Sequence, residues 1–159
     1  MQEAIFAAGC FWGVQYYFDQ IPGVVSTTVG YTGGEAENPT YEDVCSQTTG
    51  HAEAILVEFD SSKVNFETLV RHFFRMHNPT ELNRQGPDIG SNYRSAIFYV
   101  TDEQKDVAEA VKNELQATYD KPIVTEITEA GPFYAAEDYH QKYTERTGRG
   151  ACHVSYEPL

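Results

Sequence analysis

The sequence predicts an α+β chain folded as a two-layer α/β sandwich, and three observations carry that prediction. Segments with strand periodicity alternate with segments of helix periodicity, in the order β-α-β-(loop)-β-α-(loop)-β-α-β plus a tail. The stretch His51–Asp60 is apolar on both faces of a strand, which places it at the centre of a sheet. No Gly-rich phosphate loop follows any strand. A ferredoxin-like arrangement therefore accounts for the pattern better than its alternative, a doubly wound sheet.

The elements follow in chain order. Ala4 to Ala8 is a short apolar run ended by Gly9, as a buried strand would be. Val14, Tyr17, Phe18 and Ile21 then share one helical face, and Pro22-Gly23 stops the helix. Val24 to Tyr31 is β-rich and runs into a Gly33-Gly34 loop. In the central strand Glu53, Ile55, Val57 and Phe59 lie on one face, and Ala52, Ala54, Leu56 and Glu58 on the other. Phe66, Leu69, Val70, Phe73, Phe74 and His77 form a second helical stripe with Asn65 as N-cap, ended by Pro79. Thr80 to Ser95 is a long loop rich in Gly, Pro, Asn and Asp, of the kind that often carries function. Ala96 to Val100 is a strand. Thr101 to Gln104 reads as a capping box opening a helix that buries Val107, Ala108, Val111 and Leu115. Ile123 to Thr128 is the last strand, and an irregular aromatic and polar tail follows Gly131-Pro132.

Composition narrows the function classes. A chain of 159 residues suits one domain spanning 1–159, and it can bury a core without a staple. Against 24 Asp+Glu there are 11 Lys+Arg, a formal net charge of −13. Such a surface repels phosphate backbones and anionic lipid, so neither nucleic acid nor membrane is an expected partner. The longest nearly apolar run, Ile5 to Val14, is about half of the roughly 20 residues that a spanning helix needs. The Met-Gln-Glu-Ala start lacks the positive charge of a secretory signal, so a cytoplasmic location is expected. Cys10, Cys45 and Cys152 make a poor disulfide framework, and the five histidines show no ligand spacing, so no metal is expected.

Two features can carry chemistry. Cys10 sits between an apolar strand and the first turn of a helix, where amide N–H groups and the dipole favour a thiolate. Two pH units of activation need roughly 2.7 kcal/mol. A helix end supplies about 0.3–1 kcal/mol, up to ~2 when buried, while burial and the net charge oppose it. Cys10 is therefore modestly activated at rest, and the same position also fits an inert buried cysteine. Glu53, on an apolar strand face, is costly to ionise unless paired, which makes it a candidate acid. A salt-bridged glutamate would read the same way. Phe11 and the sole tryptophan, Trp12, follow Cys10. The helix face is already defined without them, so at least one of the two rings is free to line a pocket for an apolar, methyl-bearing substrate. Spacing alone selects none of the 11 tyrosines.

Gly9-Cys10-Phe11-Trp12-Gly13 after a short strand resembles the signature of the methionine sulfoxide reductase A family. Gly30 to Gly34, Asn38 to Tyr41, Gly50 to Ala54, Asn83 to Gly86, Tyr93 to Ser95 and Phe133 to Gln141 resemble further family segments, in family order. The resemblance implies a single catalytic domain that reduces the S epimer of methionine sulfoxide, free or in proteins. It implies Cys10 as nucleophile on the sulfoxide sulfur and Glu53 as the acid on the leaving oxygen. Tyr41 and Tyr93 are implied as phenols that bond this oxygen, Phe11 and Trp12 as the wall around the methyl group, and Asp88 as a loop carboxylate of the site. Cys152 resembles the recycling cysteine, carried on a mobile tail over 142–159. A Cys10–Cys152 disulfide reduced by thioredoxin (dithiothreitol in vitro) would close the cycle, with no bound cofactor. Cys45 is expected to be structural, and the domain monomeric. The chain departs from the family's commoner residues at Gln15, Asn78 and Ala151. Two other classes compete: a cysteine hydrolase using His51 or His140 as base, and a binding module for methionine-containing partners.

Overall fold

The computed structural model describes residues 1–149. The chain runs through β1 (Gln2–Ala8), α1 (Phe11–Phe18), β2 (Val24–Thr32), α2 (Tyr41–Cys45), β3 (Ala52–Phe59) and α3 (Phe66–Arg75). A hairpin of β4 (Arg84–Gln85) and β5 (Asp88–Ile89) leads to a 3-10 turn over Ser91–Tyr93. After it come β6 (Ser95–Tyr99), α4 (Asp102–Gln116), β7 (Glu126–Glu129), β8 (Tyr134–Ala135), a second 3-10 turn over Asp138–His140, and α5 (Tyr143–Thr147).

It is a mixed α/β fold around one six-stranded sheet of order β7-β6-β1-β3-β2-β8. β1 pairs antiparallel with β3 and β6, with Phe6 opposite Ile55 on one side and Ile97 on the other. β2 runs antiparallel to β3 and β8, and only β7 is parallel to its neighbour, β6. Strand alternation then divides the core. Phe6, Val29, Ile55, Val57, Phe59 and Ile97 face the helices, where the Phe6 ring stacks with Phe18, Phe66 and Phe73 at 5.2–5.9 Å. The opposite face is a thinner layer of Ala7, Ala52, Ala54, Ala96, Ile5 and Phe98, covered by Ala130 and Phe133.

The expected helix starts are present, with one difference. Asn65 accepts the Thr68 N–H at 2.8 Å and Thr101 accepts the Gln104 N–H at 3.2 Å. The return bond of the expected capping box goes elsewhere: Gln104 takes the N–H of Val100 and donates to the Glu3 carbonyl, pinning α4 to β1.

Four expectations need correction. The connection read as loop before the central strand contains α2, opened by a complete capping box between Thr40 and Asp43. The loop Thr80–Ser95 contains the β4–β5 hairpin and a 3-10 turn. The last predicted strand begins at Glu126 rather than Ile123, where pairing with β6 starts. The tail is not irregular over its described part. β8 adds an edge strand to β2, and α5 packs on α1, held by Lys142 N–H on Gln15 Oε1 (2.7 Å) and Lys142 Nζ on Asp19 (2.7 Å). Gly30 permits this docking, since a Cβ there would fall 2.3 Å from the Tyr134 carbonyl oxygen.

Candidate active site

Cys10 lies in the two-residue link between β1 and α1. Gly9, at φ +95°, turns the chain out of the strand, and Cys10 takes the N-cap position with its side chain 8 % exposed. The first amide of the helix is not left open for an anion: Phe11 N–H donates to Glu53 Oε1 at 3.2 Å. Glu53 points from β3 into the helix side of the sheet and is 1 % exposed, and its Oε2 accepts from Asn92 Nδ2 at 3.4 Å. A nucleophile-bearing turn and a buried carboxyl are thereby joined through one backbone amide.

Asn92 and Tyr93 reach the site on the 3-10 turn. Arg94 fixes that turn by donating to the carbonyls of Ser91 (2.8 Å) and Gly50 (3.0 Å) while pairing with Glu126 (3.3 Å). Gly90 admits the neighbouring loop, since a Cβ there would lie 2.0 Å from Gln47 Nε2. Burial first, and then the Glu53 charge, raise the Tyr41 and Tyr93 hydroxyls above the ordinary tyrosine value. Both phenols are therefore neutral donors at any physiological pH. Cys45, at the other end of α2, is exposed but lies near both hydroxyls: desolvation raises its thiol, Tyr41 lowers it, Glu53 raises it and Tyr93 lowers it, with a net rise. Asp88, half-buried on the hairpin, lies within electrostatic reach of Tyr93.

The aromatic wall is built from two ends of the chain. Phe11 is buried in line with Val14 and Phe18, its ring 5.7 Å from Tyr31, 6.3 Å from Tyr41 and 5.4 Å from His140. Trp12 is off that stripe and partly exposed, stacked on Tyr143 at 4.1 Å with its indole N–H on His140 Nδ1 at 2.9 Å. That bond makes Nδ1 the acceptor, so neutral His140 carries its proton on Nε2, a buried atom with no partner among the described residues. Burial lowers the His140 pKa, so the neutral form dominates. Of the two candidate bases for a hydrolase, His51 is committed elsewhere. Its Nδ1 accepts the Gly34 N–H (3.0 Å), and its Nε2 bonds the Ala36 carbonyl (2.6 Å).

The whole chain agrees with this local picture. The family model described as peptide methionine sulfoxide reductase matches residues 2–159. The chain belongs to the peptide methionine sulfoxide reductase family. One relative, peptide methionine sulfoxide reductase MsrA from Geobacter sulfurreducens, is 53 % identical over 154 residues, 96 % of this chain and 95 % of that one. Among solved structures, reduced Mxr1 from Saccharomyces cerevisiae superposes with a TM-score of 0.93 at 31 % identity, over 99 % of this chain and 92 % of that one. Mxr1 in complex with Trx2 superposes with a TM-score of 0.65 at 26 % identity, over 89 % and 84 % of the two chains.

For a sulfoxide reductase the arrangement is legible residue by residue. The structure brings Cys10, Glu53, Tyr41, Tyr93, Phe11 and Trp12 together, with Asp88 at their edge, and Cys152 lies outside the described residues. Sequence reasoning did not single out Asn92, Tyr31, Glu137 or Tyr143 as parts of the site. Glu137 lies within the Phe133–Gln141 segment, which was the one signal available for it. Among the described residues, no group of three or more His, Cys, Asp or Glu could hold a metal ion, and no helix is long and apolar enough to cross a membrane.

Proposed function

We propose that this reductase acts on the S epimer of methionine sulfoxide, free or in proteins, by a thiol cycle. The observation that carries the reading is the Glu53–Phe11 amide bond, which puts a buried carboxyl beside the Cys10 turn with two neutral phenols near it. A sulfoxide presents an electrophilic sulfur, a partly negative oxygen and apolar arms. The Cys10 sulfur attacks the sulfoxide sulfur while Tyr41 and Tyr93 donate to its oxygen. The thiol proton and one from Glu53 let that oxygen leave as water, and water then attacks the Cys10 sulfur, breaking the new sulfur–sulfur bond to release methionine and returning a proton to Glu53. Trp12, with Phe11 behind it, flanks the methyl group, and Asp88 borders the entry. The net step transfers one oxygen atom: Cys10 thiol becomes sulfenic acid, oxidised by two electrons, and the sulfoxide becomes methionine.

Recycling uses a second thiol. Cys152 condenses with the sulfenic acid, forming a Cys10–Cys152 disulfide and releasing water. A thioredoxin dithiol then reduces that disulfide and is itself oxidised. The structural likeness to Mxr1, solved with Trx2, supports thioredoxin as the partner. Dithiothreitol replaces it in vitro, and no bound cofactor is needed. The same reading takes residues 1–159 as one catalytic domain, monomeric and cytoplasmic. Of the tail expected over 142–159, Lys142 and α5 are docked on α1, and residues 150–159 lie outside the described residues. The strand order β6-β1-β3-β2 with α1 and α3 as crossovers supports a ferredoxin-like core.

The test is reduction of racemic methionine sulfoxide with dithiothreitol, with the two epimers resolved and Cys10→Ser run alongside. Loss of the S epimer alone, absent in the variant, is the expected result. Consumption of both epimers, or turnover by Cys10→Ser, would overturn the reading. Peptide mapping after one turnover checks recycling: oxidised Cys10 beside a free Cys152 would exclude the disulfide.

A further inference from the structure

Glu137 has no part in the chemistry above, yet its carboxylate joins two parts of the site. Its Oε1 accepts the Tyr31 hydroxyl hydrogen at 2.9 Å, and its Oε2 accepts the Tyr41 backbone N–H at 3.1 Å. Tyr31 is fully buried on β2, with its ring against Phe11, and it is the cross-strand partner of Glu53. Tyr41 is the first residue of α2. One half-buried side chain therefore ties the row of the sheet that carries Glu53 to the start of the helix that carries Tyr41.

The helix needs such a tie. Its five residues are far below the length at which a helix holds itself in water, and Val44 is the one it buries. The capping box satisfies the amides of Thr40 and Asp43. The Tyr41 amide falls outside that exchange, and Glu137 takes it. Burial works against the Glu137 charge. Its own backbone N–H, the Tyr41 N–H and the Tyr31 hydroxyl outweigh burial and hold the carboxyl below its ordinary range, so the clamp is ionised at neutral pH.

We propose that Glu137 is a positioning residue for the reduction step: by clamping the Tyr41 backbone to Tyr31, it sets the Tyr41 phenol against the Cys10–Glu53 pair. This rests on the reading that the Tyr41 hydroxyl bonds the sulfoxide oxygen. A glutamine can make both bonds, its Oε1 taking the Tyr41 N–H and its Nε2 donating to the Tyr31 hydroxyl oxygen. An alanine makes neither.

The experiment is a double-mutant cycle of Glu137→Ala and Tyr41→Phe, with Glu137→Gln as rescue, in steady-state reduction of methionine sulfoxide by saturating dithiothreitol. Glu137→Ala is expected to lower kcat about tenfold with KM changed less than about threefold, and Glu137→Gln to stay within about threefold of the parent. In the Tyr41→Phe background, Glu137→Ala should change kcat by less than about twofold. Trp12 emission can follow Tyr41, whose ring stacks on the indole at 6.3 Å, so the fold is checked by the far-ultraviolet circular dichroism spectrum, which should be unaltered throughout. Equal losses from Glu137→Ala in both backgrounds, or an altered circular dichroism spectrum with KM and kcat changed together, would mean a general structural role and overturn the inference alone. A fully active Tyr41→Phe would remove the phenol's role, and the inference would fall with the reading. If Glu137→Ala does not fold, Tyr31→Phe removes one arm of the clamp and goes through the same cycle, with the same outcomes decisive.

Discussion

The two halves of the site are held in different ways. Cys10 and Glu53 belong to the sheet: one follows β1, the other sits on β3, and both are at most 8 % exposed. Tyr41, Tyr93, Trp12 and Asp88 belong to short or exposed pieces, namely a five-residue helix, a 3-10 turn, the off-face side of α1 and a two-residue strand. Register and packing position the first half. Polar clasps position the second: Glu137 on Tyr41, Arg94 on the Tyr93 turn, and His140 on Trp12. The proposed nucleophile and acid thus stand on the sheet scaffold, while the groups proposed to surround the substrate stand on short or exposed pieces.

The largest expected effect tests the scaffold half. Glu53→Ala should reduce the rate of methionine formation in a single turnover by about 10²–10⁴-fold, the range for losing a positioned acid. A variant that stays active would shift the acid to the rim and undo the division. Gly30→Ala comes next and acts where the halves join. The added Cβ meets the Tyr134 carbonyl at 2.3 Å and the Phe133 ring at 2.7 Å, both in the docked C-terminal segment. A loss of ~1–3 kcal/mol in urea unfolding is expected, together with a red shift in Trp12 emission as His140 and Tyr143 withdraw.

Acid separates the halves again. Burial, with Arg75 adding to it, lowers the His72 pKa to about 4, and the ring bonds the buried Tyr17 hydroxyl at 2.7 Å. Folding favours its neutral form, so this contribution is complete above the unfolded value of about 6.5 and is lost as pH falls towards about 4. Urea unfolding across that window should weaken by at most ~1.4 kcal/mol per pH unit from this group, and His72→Gln should flatten the slope. At the rim, protonation of His140 Nδ1 breaks the Trp12 indole bond. Trp12 emission should therefore titrate with a midpoint below the ordinary histidine value, and a midpoint at that value would mean that His140 is not packed as described. The smallest effect is Thr40→Ala, which removes one half of the α2 capping box. It should cost about 1 kcal/mol locally and lower kcat less than Glu137→Ala does, since the clamp on Tyr41 remains.

Much of this was legible in the sequence where periodicity is long. β1, β3, α3, β6 and α4 appear near the expected residues, and Glu53 shares its face with Ile55, Val57 and Phe59 because strand alternation admits no other choice. α2 was invisible because five residues carry no helical period. β8 was invisible because two residues beside an aromatic run do not alternate. The placement of Phe11 was ambiguous in sequence. Its spacing of three and seven from Val14 and Phe18 puts it on the buried stripe, which leaves Trp12 as the ring at the surface.

The sequence by itself determined the alternation of elements, the face on which Glu53 lies, the position of Cys10 at a strand-to-helix turn and, by motif, the family. These are properties of neighbours along the chain, where covalent spacing sets geometry. Only the tertiary structure decided that the Phe11 amide belongs to Glu53, that His140 orients Trp12 across 128 positions, and that Glu137 joins Tyr31 to Tyr41. Each is a bond between groups far apart in sequence. Its partner is selected when the sheet and the C-terminal segment close on one another and every buried donor must find an acceptor.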